Sequence, residues 1–86
     1  MNKTLKLRVS GKDCRGIDFT SDVTFRLIPP SDKDYYGNGH YMAVDMPRNH
    51  FYVDCRYAST TDIEKLADIW VKNYFGPNAQ EVRKIA

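Results

Sequence analysis

The segment Thr61 to Gly76, TDIEKLADIWVKNYFG, has a start signal, a stop signal and one clean period between them. Thr61 and Glu64 have the spacing of a capping box, in which hydroxyl and carboxylate each accept from the other residue's amide. Gly76 supplies the left-handed residue that ends a helix, and Pro77 forbids continuation. Ile63, Leu66, Ala67, Trp70 and Tyr74 fall on one helical face, with Lys65, Asp68 and Lys72 on the other. A lone amphipathic helix of this length is marginal in water. It therefore has to cover something, and the rest of the chain has to supply a sheet.

The preceding residues supply strands. Lys3 to Val9 alternates strictly, with Leu5, Leu7 and Val9 on one side and Lys6, Arg8 and Ser10 on the other. A loop bounded by Gly11 and Gly16 follows. From Ile17 the odd positions carry Ile17, Phe19, Val23, Phe25 and Leu27, and the even ones Asp18, Thr20, Asp22, Thr24 and Arg26. This reads either as one long strand or as two broken at Ser21-Asp22, paired antiparallel with the first strand. Pro29-Pro30 closes it, because proline cannot join a central ladder.

His40 to Arg56 is a second hairpin turning at Pro47-Arg48, with Met46 and Asn49 flanking the turn. That turn sets Asp45 opposite His50, Val44 opposite Phe51, Ala43 opposite Tyr52, Met42 opposite Val53 and Tyr41 opposite Asp54. One face then reads Met42, Val44, Met46, Phe51, Val53, Cys55, and the other Tyr41, Ala43, Asp45, His50, Tyr52, Asp54. A slip of one residue would mix the sets and bury charge.

The expected architecture is α+β: a four-stranded antiparallel sheet in β-β-β-β-α order, with one amphipathic helix packed on one face. It forms a single domain over residues 1–86, with the sheet in 3–56, the main helix in 61–75 and a tail in 78–86. Asn78 and Glu81 repeat a capping spacing, so Ala79 to Ile85 reads as a short second helix anchored by Val82 and Ile85 and packing near Phe75. The covered sheet face gathers Leu5, Leu7, Val9, Val23, Phe25, Leu27, Met42, Val44, Phe51 and Val53 against Ile63, Leu66, Trp70 and Tyr74.

Composition limits function more than it assigns one. A chain of 86 residues buries about 60–65% of its unfolded surface, so the core is thin. Apolar content of 42% and charged content of 28% are ordinary for a folded domain. No apolar run approaches the roughly 20 residues that span a bilayer, and the alternating N-terminus does not read as a signal peptide. Cys14 and Cys55 are too few for a disulfide framework, so two reduced thiols in a cytoplasmic protein are expected, with a single bridge as the alternative. Net charge is +2, and the excess sits early: residues 1–30 hold six basic and three acidic side chains.

No phosphate-binding glycine loop, paired CxxC, GxSxG or HExxH is present. Asp45 and His50 form the orienter and base of a triad without its nucleophile, since their face offers no serine or cysteine. The competing reading is a surface pair worth under about 1 kcal/mol. His40, His50, Asp45, Asp54 and Cys55 do not converge on a metal, because Cys55 points to the core while His50 points away. No catalytic residue, cofactor or metal is therefore expected.

Two candidate binding regions remain. The open sheet face gathers Lys6, Arg8, Arg26, Tyr41, His50 and Tyr52, and the polar loop SDKDYYGNG carries Tyr35 and Tyr36. Basic groups interleaved with aromatic rings suit single-stranded nucleic acid. Asp45 and Asp54 on the same face oppose that, and tyrosine with mixed charge suits a protein partner. The expectation is a small non-catalytic binding or regulatory module acting through protein–protein contacts. A nucleic-acid-binding accessory protein is the alternative.

Overall fold

The computed structural model describes residues 3–29, 39–55, 58 and 60–85. The chain runs β1 (Thr4–Lys12), β2 (Asp18–Ile28), β3 (Tyr41–Asp45), β4 (His50–Asp54), α1 (Ile63–Phe75), a 3-10 turn (Gly76–Asn78) and β5 (Ala79–Lys84). The strands make one antiparallel sheet in the order β4-β3-β2-β1-β5. The α+β class holds, with five strands where four were expected.

The first hairpin pairs Leu5 with Phe25 and Leu7 with Val23. Asp18–Ile28 is a single 11-residue strand, so no break occurs at Ser21-Asp22. The second hairpin has the expected register, from Asp45 opposite His50 to Tyr41 opposite Asp54. Its turn closes where Pro47 placed it, with the Met46 amide donating to the Asn49 carbonyl at 2.9 Å.

The tail is the main correction. Ala79–Lys84 is a strand, not a helix, and it pairs with β1. A helix of this length with only Val82 and Ile85 as anchors would bear the full cost of nucleation. Pairing with β1 instead extends an existing ladder. It sets Val82 beside Val9 and Lys84 beside Leu7. Gly11 makes the turn into β5 feasible: a Cβ there would lie 1.7 Å from the Asn78 carbonyl oxygen. No residue with a side chain allows that approach.

The helix also departs from expectation at both ends. Asp62, not Thr61, is the N-cap, its carboxylate accepting from the Glu64 amide at 3.0 Å. Thr60 supports it, the Asp62 amide donating to the Thr60 hydroxyl at 3.1 Å. The Glu64 carboxylate is turned to the Lys84 ammonium on β5 instead of back to Thr61. The stop is as expected, with Gly76 at φ 61° donating its amide to the Lys72 carbonyl. Ile63, Leu66, Ala67 and Val71 are the buried helical residues. Trp70 is only partly buried and Tyr74 is 46% exposed. The buried stripe thus leans toward Val71, because α1 lies against β1, β2 and β5 and not over the whole sheet.

On the helix side of the sheet, Val9, Val23, Phe25, Met42 and Val44 are the largest fully buried side chains. Burying one such Phe or Met stabilises the fold by about 2–3 kcal/mol before entropy is counted. Toward β4 the cover is aromatic. Trp70 meets Phe25 edge-on at 5.7 Å and stacks on Tyr74 at 4.7 Å, and both approach Phe51 within 6 Å. Phe75, off the main stripe, stacks on Phe19 at 5.6 Å.

Candidate binding face

The face of the sheet away from α1 is built in rows, one residue per strand. Arg83, Arg8 and Asp22 form one row across β5, β1 and β2. Lys6, Thr24, Asp45 and His50 form the next, across β1 to β4. Thr4, Arg26, Ala43 and Tyr52 follow, and then Ile28, Tyr41 and Asp54. The period-2 alternation thus brings Lys6, Arg8, Arg26, Tyr41, His50 and Tyr52 onto one face. It does not make them one uniform patch. Tyr35 and Tyr36 of the candidate loop lie outside the described residues.

The basic groups are largely neutralised in place. Arg8 makes a two-pronged contact with Asp22, Nε to Oδ1 at 2.8 Å and Nη2 to Oδ2 at 3.1 Å. Those hydrogen bonds, and then the opposite charge, raise the Arg8 guanidinium further above its already high range; the same hydrogen bonding holds the Asp22 carboxyl below the usual carboxylate range. Arg83 pairs with Glu81 at 3.1 Å, and Lys12 with Asp18 at 2.6 Å. In the adjoining loop Arg15 grips Asp13, which also accepts from the Ile17 amide, and both contacts lower the Asp13 carboxyl. Among the described residues, Lys6 and Arg26 are the cations of the predicted set without an ion pair.

The middle of the face is less open than alternation implies. Ala43 is fully buried and Ile28 is 5% exposed, although both point away from α1. Ala43 is a single methyl flanked in register by Arg26 and Tyr52. Tyr41 is only partly exposed. Tyr52 is 61% exposed and stands next to His50 on β4, their rings edge-to-face at 4.6 Å.

His50 Nδ1 contacts Asp45 Oδ1 across the second hairpin, with both side chains about half exposed. Among the described residues the register sets no serine or cysteine beside this pair. Thr24 adjoins Asp45 on the side away from His50, so the carboxylate stands between hydroxyl and imidazole. Such a contact orients the ring and does not activate a hydroxyl. A shallow groove of about 490 Å³ lies where Arg8, Ser10, Thr20, Asp22 and Arg83 meet Pro47 of the β3–β4 turn. Both of its guanidiniums are already held by carboxylates.

Among the described residues no group of three or more His, Cys, Asp or Glu side chains is placed to hold a metal ion. Cys14 and Cys55 are both free, the first exposed and the second buried. Burial, and then the nearby Asp54 charge, pushes the Cys55 thiol up. Among the described residues no helix is long and apolar enough to cross a membrane. No protein-family model matches the chain, and no curated protein and no solved structure matches it either.

Proposed function

We propose that this chain is a small non-catalytic module that binds another protein through the sheet face away from α1. The observation that carries the reading is the interleaving of carboxylates with cations on that face. Arg8 is held by Asp22 and Arg83 by Glu81, while Asp45 stands between Thr24 and His50. A polyanion would have to break these pairs and approach Asp22 and Asp45, whereas a protein surface can match mixed charge. Tyr52, exposed beside His50 and near Arg26, is the type of residue that dominates protein interfaces. Two free thiols fit a reducing compartment, and the cytoplasm is the location proposed.

The alternative, a nucleic-acid accessory role, rests on Arg26 in the row that ends in Tyr52 and on Lys6 in the neighbouring row. A salt titration against short single-stranded oligonucleotides separates the two. No binding at low salt is expected. Binding that weakens steeply as salt rises would move the assignment to nucleic acid, since each phosphate contact releases counterion. In parallel, the partner that co-purifies from the native host is re-measured against Tyr52→Ala. That change is expected to weaken the complex by about 2 kcal/mol, while Lys6→Ala alters mainly its association rate. A complex indifferent to Tyr52 would remove the sheet face from the proposal.

A further inference from the structure

β5 is an edge strand, and its exposed side carries a self-complementary pattern. Gln80, Glu81, Val82, Arg83, Lys84 and Ile85 are all exposed, and among the described residues no strand lies beyond them. The Ile85 amide donates to the Lys6 carbonyl on β1 at 3.0 Å. In an antiparallel ladder the inward-pointing backbone groups recur at every second residue. Ile85, Arg83 and Glu81 therefore spend their amides and carbonyls on β1, while Val82 and Lys84 point theirs outward. Unpaired outward groups on an edge are a template for another strand.

We propose that β5 pairs antiparallel with β5 of a second copy of this chain, centred on Val82, to make a continuous ten-stranded sheet. The register follows from two constraints. Outward groups must meet outward groups, which allows only two-fold axes that pass through a residue and excludes those between residues. Of the three central choices, an axis at Glu81 opposes two carboxylates and an axis at Arg83 opposes two guanidiniums, both unfavourable directly across a ladder. An axis at Val82 sets Glu81 against the partner's Arg83 and Arg83 against the partner's Glu81. It also joins the two Val82 side chains, each 45% exposed in the single chain.

The geometry leaves room. The pairing keeps both helices on the same face of the sheet. Each α1 lies over β1 and its neighbours β2 and β5. Copies of β1 would stand three strand spacings apart, about 14 Å, clear of the roughly 8–10 Å at which helices pack. Bending at the centre is limited, because the extra residue at Gln80 falls outside the central three pairs. A contact this narrow belongs to the weak, small-area class. The binding face described above lies on the opposite side from the helices and stays open in the dimer.

Sedimentation velocity over rising protein concentration tests this. The wild-type chain is expected to dimerise by a few hundred micromolar, a concentration at which even about −5 kcal/mol of association free energy is visible. Val82→Pro removes an amide that points away from β1, so the monomer keeps its ladder and dimerisation is lost. Glu81→Arg alone, or Arg83→Glu alone, turns both cross-strand charge pairs repulsive and weakens the dimer at least about tenfold. An equimolar mixture of those two variants places unlike charges opposite each other again and recovers a dimer. A wild-type chain that stays monomeric at about 500 µM, a dimer that survives Val82→Pro, or a mixture that fails to recover would each overturn the proposal. Circular dichroism confirms that each variant is folded, and the mixture needs only exposed single changes.

Discussion

The hairpin β1–β2 and the hairpin β3–β4 follow the same two-residue period but meet different surroundings. In the first, Leu5, Leu7, Val9, Val23, Phe25 and Leu27 are all buried and only Phe19, at the far end of β2, is partly so, while the outward face is tied together by Arg8–Asp22 and Lys12–Asp18. In the second, Met42 and Val44 are fully buried, yet Phe51 and Val53 on the adjoining strand are only partly so. The difference is one of position. β1 and β2 lie under α1 with strands on both sides, whereas β4 is an edge strand whose Phe51 meets the helix through the side chains of Trp70 and Tyr74. An identical pattern therefore yields a sealed core in one place and a half-open aromatic shelf in another.

The sharpest way to break the comparison is truncation of matching aromatics. Phe25→Ala, at a fully buried β2 site, is expected to cost about 3–5 kcal/mol. Phe51→Ala, at the half-buried β4 edge, is expected to cost about 1–2 kcal/mol. Urea unfolding of both measures the gap, and equal losses would mean that the cover over the two hairpins is the same.

The two cysteines sharpen the contrast, since Cys14 sits in the β1–β2 loop and Cys55 at the end of β4. Cys14 is exposed and is expected to react with iodoacetamide under native conditions. Cys55 is buried with its thiol pushed up, and is expected to react at least about 100-fold more slowly, through local opening. Mass spectrometry over a labelling time course reads both sites. Similar rates would show that the β4 end opens as freely as a surface loop.

The smallest effect is acid sensitivity of the first hairpin. The Asp22 and Asp13 carboxyls are held below their unfolded value, about 3.9. Their stabilisation is therefore present above about pH 4 and is lost as pH falls through the folded values. Asp22→Asn is expected to flatten the fall in Tm across that acid range while changing little near neutrality. Both groups are exposed, so the change is modest. A melting series against pH that shows the same acid slope in the variant would dismiss the Arg8–Asp22 pair as a contributor.

Local pattern was enough to place the two hairpins, the β3–β4 register and the helix with its Gly76 stop. In each case the signal lies within a few residues: alternation separates an apolar set from a polar one, and Pro47 and Gly76 mark chain reversals by backbone constraint. The same alternation put Lys6, Arg8, Arg26, Tyr41, His50 and Tyr52 on one face. It carried no information on which cations would be spent, because Arg8 meets Asp22 only through strand pairing. Nor did it show that Ala43 would be shielded between Arg26 and Tyr52.

The tail shows the limit most plainly. Ala79–Lys84 has two ways to satisfy its backbone, and its own residues favour neither strongly. The unpaired edge of β1, opened to close approach by Gly11, chose the strand. The N-cap at Asp62 and the turn of the helix toward Val71 have the same origin, since Lys84 on β5 draws Glu64 away from Thr61 and the helix seats over β1, β2 and β5. The sequence by itself determined what each segment must hide. Tertiary structure decided which neighbour would hide it, because a free edge and a helix footprint exist only once distant strands have come together.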